Sequence, residues 1–332
     1  MKRWILRIAG VIVGLLILEC GLGAAYEAHA RAQVRAQYPP PGKLVDIGGR
    51  RIQLDCRGSG TPVVVFEAGR DMNGSLSWYR VHDDVARITR ACAYSRAGIL
   101  WSDPTPGPHT AKAEVFDLHT ALERAGEKPP FVLVGHSAGA INAMVYTKYF
   151  GSEVAGAVFV DGSHPDMFSR LAPVLGDRLP HAEWTSRLLA RLSWTGLVRL
   201  TWPKPDASAP QILQTVAAYA PVSFPAAIEE VEADPESFAE AGTFRQFGAR
   251  PLYVLTAQVT LPGYGEPFLK VWHALHDEQA SWSSVSEQEL VDSPHFIQWD
   301  KPDRVVAAVR WVVDRVRKVG SPAPSAPRKA AP

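Results

Sequence analysis

The chain has 332 residues, 46% of them hydrophobic, with 35 Lys and Arg against 34 Asp and Glu for a net charge of +1. That length can bury a large core, and the near-neutral balance leaves no electrostatic case for nucleic acid or an acidic partner. Three cysteines with no C-x-x-C pair argue against structural zinc, and neither a metal nor a cofactor is expected.

The first element is hydrophobic. Met1-Lys2-Arg3 is basic, 4–18 is apolar apart from Arg7, and apolar character resumes after Glu19 as far as Tyr26. Residues 1–26 therefore read as a signal anchor or a signal peptide. The stretch can cross a bilayer if Arg7 snorkels and Glu19 lies near the interface. Ala28-His29-Ala30 offers an A-x-A-like cleavage site, whereas Glu19 before Cys20 argues against lipoprotein processing. Anchored or cleaved, the positive-inside bias puts the globular part outside the cytoplasm. Residues 27–42, ending Pro39-Pro40-Pro41-Gly42, read as a linker.

Two short strands, 43–47 and 50–56, flank Gly48-Gly49, a hairpin signal. The run 62–66 is apolar throughout, as a strand covered on both faces should be. A strand at 91–94, a helix at 111–125, a strand at 131–134, a helix at 138–150 and a strand at 154–160 follow. This alternation predicts an α/β fold with a mostly parallel sheet and helices on both faces. At 163–248 the pattern changes to Trp, Pro and short amphipathic pieces (183–200, 226–232), as in a helical cap inserted into the core. The strand in "PLYVL", a strand at 287–291 and a helix at 302–319 complete the pattern. The core is thus expected in two parts, 43–162 and 249–319, with a Pro/Ala/Ser-rich, disordered tail at 320–332.

Gly135-His136-Ser137-Ala138-Gly139 matches G-x-S-x-G, between an apolar strand and a helix. That setting suits a nucleophile elbow, where a tight turn exposes the Ser hydroxyl beside helix N-terminal amides. With "VVFEAGRDMNGS", "AYSRAGILWSDP", "AGAVFVDGSHPD" and "SPHFIQWDKPD" in the same order, the chain resembles the α/β-hydrolases, on their serine hydrolase branch, from about residue 44 to 316. One departure is Ser95, where many relatives carry Asp; it bears on local loop bonding rather than on catalysis.

The resemblance implies Ser137 as nucleophile, His295 as base, and the backbone N–H groups of Ala138 and Arg70 as the oxyanion hole. The Arg70 side chain is expected to pair with Asp71 or a cap carboxylate. The acid is the open point. Most relatives carry it after the strand that corresponds to "PLYVL", yet Thr256-Ala257-Gln258-Val259-Thr260 holds no carboxylate. Asp161, at the preceding strand end, is favoured, with Glu266 as the alternative and Asp277 and Asp292 behind them. By the same resemblance Cys56 and Cys92 lie on neighbouring strands and form a disulfide after export, or stay as two buried thiols. Some cap aromatics, among them Trp184, Trp202 and Phe238, are expected to line an apolar pocket. His273 and His276 read as a solvated helix face, and His109 and His164 as possible pocket residues.

The function implied is cleavage of a carboxylic ester of a small to medium apolar substrate through an acyl-enzyme. Lactone, amide or carbon–carbon bond hydrolysis, or a non-catalytic membrane-tethered binding role, are the alternatives. The expected partners are a small-molecule substrate and, through the N-terminal segment, a membrane.

Overall fold

The computed structural model describes residues 2–176, 181–204, 208–260 and 264–320. Helix α1 (Lys2–Gln37) continues through 27–37, which the sequence reading assigned to a linker. The reason is local. "EAHARAQVRAQ" is made of good helix formers, and Glu27 pairs with Arg31 one turn on at 2.7 Å.

Strands β1 (Lys43–Asp46) and β2 (Arg51–Arg57) form the expected hairpin. Its turn places Gly48 and Gly49 at positive φ, with both N–H groups donating to Asp46 Oδ1 at 2.7 and 3.0 Å. Then come β3 (Val63–Glu67), α2 (His82–Ala86), β4 (Ala91–Ser95), α3 (Ala111–Ala125), β5 (Phe131–His136), α4 (Gly139–Phe150) and β6 (Val154–Val160). After the segment between β6 and β7 come β7 (Leu252–Ala257), α9 (Glu266–Ala280), β8 (Ser286–Val291), α10 (Ile297–Asp300) and α11 (Pro302–Gly320). The eight strands form one sheet ordered β1-β2-β4-β3-β5-β6-β7-β8, antiparallel at β1 and β2 and parallel from β4 to β8. Cys56 and Cys92 are register partners on β2 and β4 and are joined by a disulfide.

The central strands are buried on both faces, which is why they read as unbroken apolar runs. Helices α3 and α4 cover one face through Leu118, Leu122, Ile141 and Met144. Helices α2 and α11 cover the other through Val85, Val305, Val309 and Val312.

Between β6 and β7 lie α5 (Met167–Leu175), α6 (Trp184–Arg191), a short 3-10 turn (Ser193–Thr195), α7 (Leu197–Thr201) and α8 (Gln211–Gly242). Helix α8 runs through Pro221, Pro225 and Pro235, where the sequence suggested only a short piece. Ala-rich residues before Pro221 and Ala- and Glu-rich residues after Pro225 and Pro235 favour the helix despite the missing N–H groups. The expected tail beyond residue 320 lies outside the described residues.

Candidate active site

The carboxyl ends of β3, β5, β6 and β8 converge on one edge of the sheet. Ser137 directly follows β5, and its φ of 51° is rare for a residue with a side chain. The two flanking glycines make that turn possible. A Cβ on Gly135 would stand 2.5 Å from the Gly139 carbonyl oxygen, and one on Gly139 would run into the Glu67 carbonyl. Neither site has room for a methyl group.

Asp161 directly follows β6, also at positive φ, and is buried. One carboxylate oxygen accepts from His295 Nδ1 at 2.6 Å. The other accepts from the Ala257 N–H and from Trp272 Nε1, each at 2.9 Å. Burial alone would raise this carboxyl. The bond and charge of His295, the nearby His276 and the Ala257 N–H outweigh it and hold the group well below the usual carboxylate range. Asp161 is therefore an anion with three donors. Glu266 is exposed at the start of α9, and Asp292 is exposed beyond β8. Asp277 accepts from the Gln288 side chain instead.

The strand end that lacks a carboxylate supplies the Ala257 N–H that holds one. His276, which the sequence suggests is solvated, is buried beside Asp161. Its ring nitrogens meet Thr256 Oγ1 and the Gly162 carbonyl, each at 2.9 Å. Helix α9 lays Trp272, Leu275, His276 and Gln279 inward, so this histidine belongs to its buried stripe. Nor do the two loop histidines border the cavity: His109 faces Glu229 at 3.0 Å and His164 faces Glu278 at 3.5 Å.

On the other side of Ser137 runs the loop after β3. A Cβ on Gly69 would lie 3.1 Å from Ser137 Cβ and from His136 Nδ1, so this backbone passes directly against the serine. Among the described residues, no hydrogen bond runs from the Arg70 or Ala138 N–H to a protein acceptor. His136 bonds the His295 carbonyl through Nε2 at 3.1 Å. Burial, and then the neighbouring His295, push its own pKa down to about 3, so it is neutral.

Behind this loop is a buried charge cluster that sequence reasoning missed. Arg96 donates to the carbonyls of Ala68 (2.9 Å) and Gly69 (2.7 Å). Its guanidinium also grips Glu230 of α8 through two bonds, at 2.7 and 2.8 Å. The Arg70 side chain meets Glu114 of α3 at 3.0 Å and Asp234 of α8 at 2.9 Å. A cap carboxylate was among its expected partners; Asp71 accepts from the Asn73 N–H instead. Burial pushes Glu67 up to about 7 and Asp71 up to about 6, while Arg96 overcomes burial to keep Glu230 ionised. Arg96 stands in the quoted "AYSRAGILWSDP", but its partner Glu230 lies 134 residues on, in α8, and nothing local pairs them. Ser95, the departure from the family pattern, donates to Gln53 Oε1 at 2.8 Å and accepts the Ser75 N–H at 3.2 Å, so its hydroxyl bonds the loop locally.

Ser137, Asp161 and His295 border one apolar cavity of about 150 Å³. Its walls are Met167, Leu171 and Leu175 of α5 and Phe268, Leu269 and Trp272 of α9. The cap aromatics expected there are engaged elsewhere: Phe168 packs on Phe238, Trp202 on Phe224, and Trp184 is exposed.

The model of the Alpha/beta hydrolase family matches residues 58–308. The Probable transporter efuK of Hormonema carpetanum is 33% identical over 138 residues, which are 39% of this chain and 19% of that protein. The chain thus corresponds to a minor part of that relative. Among solved structures, a thermophilic esterase from Thermogutta terrifontis superposes with a TM-score of 0.59 at 19% identity, over 83% of this chain and 98% of that one. Est816, described as an N-acyl homoserine lactone degrading enzyme, gives a TM-score of 0.59 at 18% identity, over 82% and 100%. At such identities these two structures speak for the fold.

Proposed function

The chain belongs to the alpha/beta hydrolase family, and from that premise we propose that it is a serine hydrolase cleaving carboxylic esters through an acyl-enzyme. The observation that carries this reading is the 2.6 Å bond from His295 Nδ1 to a fully buried, ionised Asp161, with Ser137 on the same cavity. A histidine held by Nδ1 presents Nε2 as the base. His295 takes the Ser137 proton as Oγ attacks the ester carbonyl. The Arg70 and Ala138 N–H groups receive the oxyanion, and the alcohol leaves with the proton from His295. Water, deprotonated by the same histidine, then releases the acid.

The cavity narrows the substrate. About 150 Å³ of apolar space is what benzene fills in an engineered protein cavity, so the acyl part is short and apolar. The same steps would open a lactone.

We read α1 as a retained signal anchor holding the catalytic part outside the cytoplasm. Glu27 is buried and bonded to Arg199 of the cap at 2.7 and 2.9 Å, and cleavage after Ala30 would discard that contact.

A fluorophosphonate probe tests the enzyme assignment. Labelling of the full chain that disappears in Ser137→Ala is expected. A chain that never labels would be a binding protein on a hydrolase fold.

A further inference from the structure

Helix α1 does not stand apart from the cap. A Cβ on Gly23 would meet the Thr195 carbonyl, and the Tyr26 ring lies against Gly196. One turn of α1 therefore sits on residues 195–196. Below this seat α1 stays on the protein: Glu27 binds Arg199, and Val34 and Tyr38 join an apolar cluster with Leu100 and Tyr219. Above it, Trp4 to Leu22 are exposed apart from Cys20, which is partly covered. At about 1.5 Å per residue that run is ~28 Å long, close to the roughly 30 Å of a bilayer's hydrocarbon core. If α1 spans the membrane, the outer boundary falls near residues 19–23, level with the seat.

Among the described residues outside α1, the two most exposed large apolar side chains, Trp184 and Leu200, belong to the cap elements beside the seat. Trp184 is 70% exposed, Leu188 48%, Trp194 50%, Leu197 38% and Leu200 70%. Trp184 and Leu188 are four apart on α6, and Leu197 and Leu200 three apart on α7, so each pair shares a helix face. Trp194 and Leu197 flank the seat in sequence. Tryptophan and leucine side chains presented to solvent beside the turn that seats a spanning helix match how interfacial segments bind lipid.

We propose that α6, the 3-10 turn and α7 form a second membrane contact, with Trp184, Leu188, Trp194, Leu197 and Leu200 seated in the outer lipid leaflet beside α1. The occupant is the bilayer surface, because Trp194 and Leu197 flank the turn on which the end of α1's apolar span is seated. This inference rests on the anchored reading of α1.

The test uses the full chain reconstituted in phosphatidylcholine vesicles whose acyl chains are brominated near the headgroup, which quench nearby tryptophan. The intensity quenched in wild type is compared with that in W4F and in W184F/W194F. Both replaced cap tryptophans are solvent-facing, so the fold is retained. The expected result is a separate loss of quenched intensity in each variant. A loss in W4F with none in W184F/W194F overturns the cap contact while α1 still inserts. A loss in W184F/W194F alone keeps the cap contact and removes the spanning role of α1. No quenching at all removes both. Cap tryptophans unquenched in vesicles but cross-linked between chains would assign the patch to a second copy and overturn the lipid proposal.

Discussion

The two sides of Ser137 are built by different means. On the side of the proposed base, Asp161 takes three short donors from the hydrolase core: a ring N–H, an indole N–H and one backbone amide. On the side of the proposed oxyanion hole, the loop after β3 is braced by guanidinium groups whose carboxylate partners lie on the cap helix α8. The first arrangement is neutral apart from one carboxylate and its histidine, and it follows from strand order. The second puts two arginines among five buried or nearly buried carboxylates (Glu67, Asp71, Glu114, Glu230, Asp234), so it depends on the cap being in place. Losing a partner there leaves an uncompensated buried charge, which costs about 3–5 kcal/mol. The oxyanion side should accordingly be the more fragile in folding, and the base side the more sensitive in rate.

The largest effect is expected on the base side. Asp161→Asn keeps the shape but presents the wrong hydrogen-bonding pattern to His295, and kcat on an activated ester should fall by about 10⁴. Glu266→Gln should stay near wild type. The reverse pair of results would move the acid to Glu266. Across the serine, Glu230→Gln frees Arg96 from the cap and loosens the carbonyls of Ala68 and Gly69. Loss of one well-placed oxyanion donor costs about 10²–10³ in kcat, so a fall of up to that size with KM little changed is expected. Unchanged kcat would show that Arg96 braces the loop without help from the cap.

How far the sequence went follows the same divide. The alternation of strands and helices and the tight turn at Ser137 are readable because strand–turn–helix periodicity and the glycines around Ser137 are local signals, whereas His295 comes from the family resemblance. Asp161 was favoured by elimination, from what "TAQVT" lacks, and the donors that hold it were invisible. His276 reads as part of a solvated helix face and no motif singles out Trp272, because nothing local says that α9 folds back over the end of β6. Arg96 and Glu230 pair across 134 residues, and no periodicity reports such a contact. The apolar pocket was expected from cap aromatics, yet aliphatic residues of α5 and the aromatic stripe of α9 form it, since those two helices face each other.

Glu67 sharpens the contrast through pH. Burial raises its folded pKa to about 7 from an ordinary 4.5, so the folded state holds a proton that the unfolded chain releases. The stability this gives is complete below pH 4.5 and is lost as pH rises through 7. A shift of that size corresponds to roughly 3 kcal/mol for a fully buried group. Glu67→Gln keeps the Tyr94 contact without the charge. Denaturant unfolding of the two proteins, measured from pH 5 to 8.5, should show the variant's advantage growing with pH. A constant difference across that range would mean that Glu67 is ionised throughout and that Arg96 holds it so.

The smallest expected effect tests whether the base side rests on its neutral donors. Trp272 both donates to Asp161 and walls the cavity, and Trp272→Phe separates the two roles. The phenyl ring keeps an apolar surface stacked near Phe268 but has no N–H. A hydrogen bond to a charged group is worth about 1.5–3 kcal/mol, and the Ala257 amide and His295 remain to share the carboxylate. The rate therefore carries only part of that loss, and kcat should fall about tenfold or less, with KM for a short-chain ester near wild type. A raised KM with kcat preserved would make Trp272 a wall of the pocket and leave Asp161 oriented by Ala257 and His295 alone. A fall in kcat at constant KM would establish that Asp161 needs all three donors, and that the strand end without a carboxylate works together with α9 to replace one.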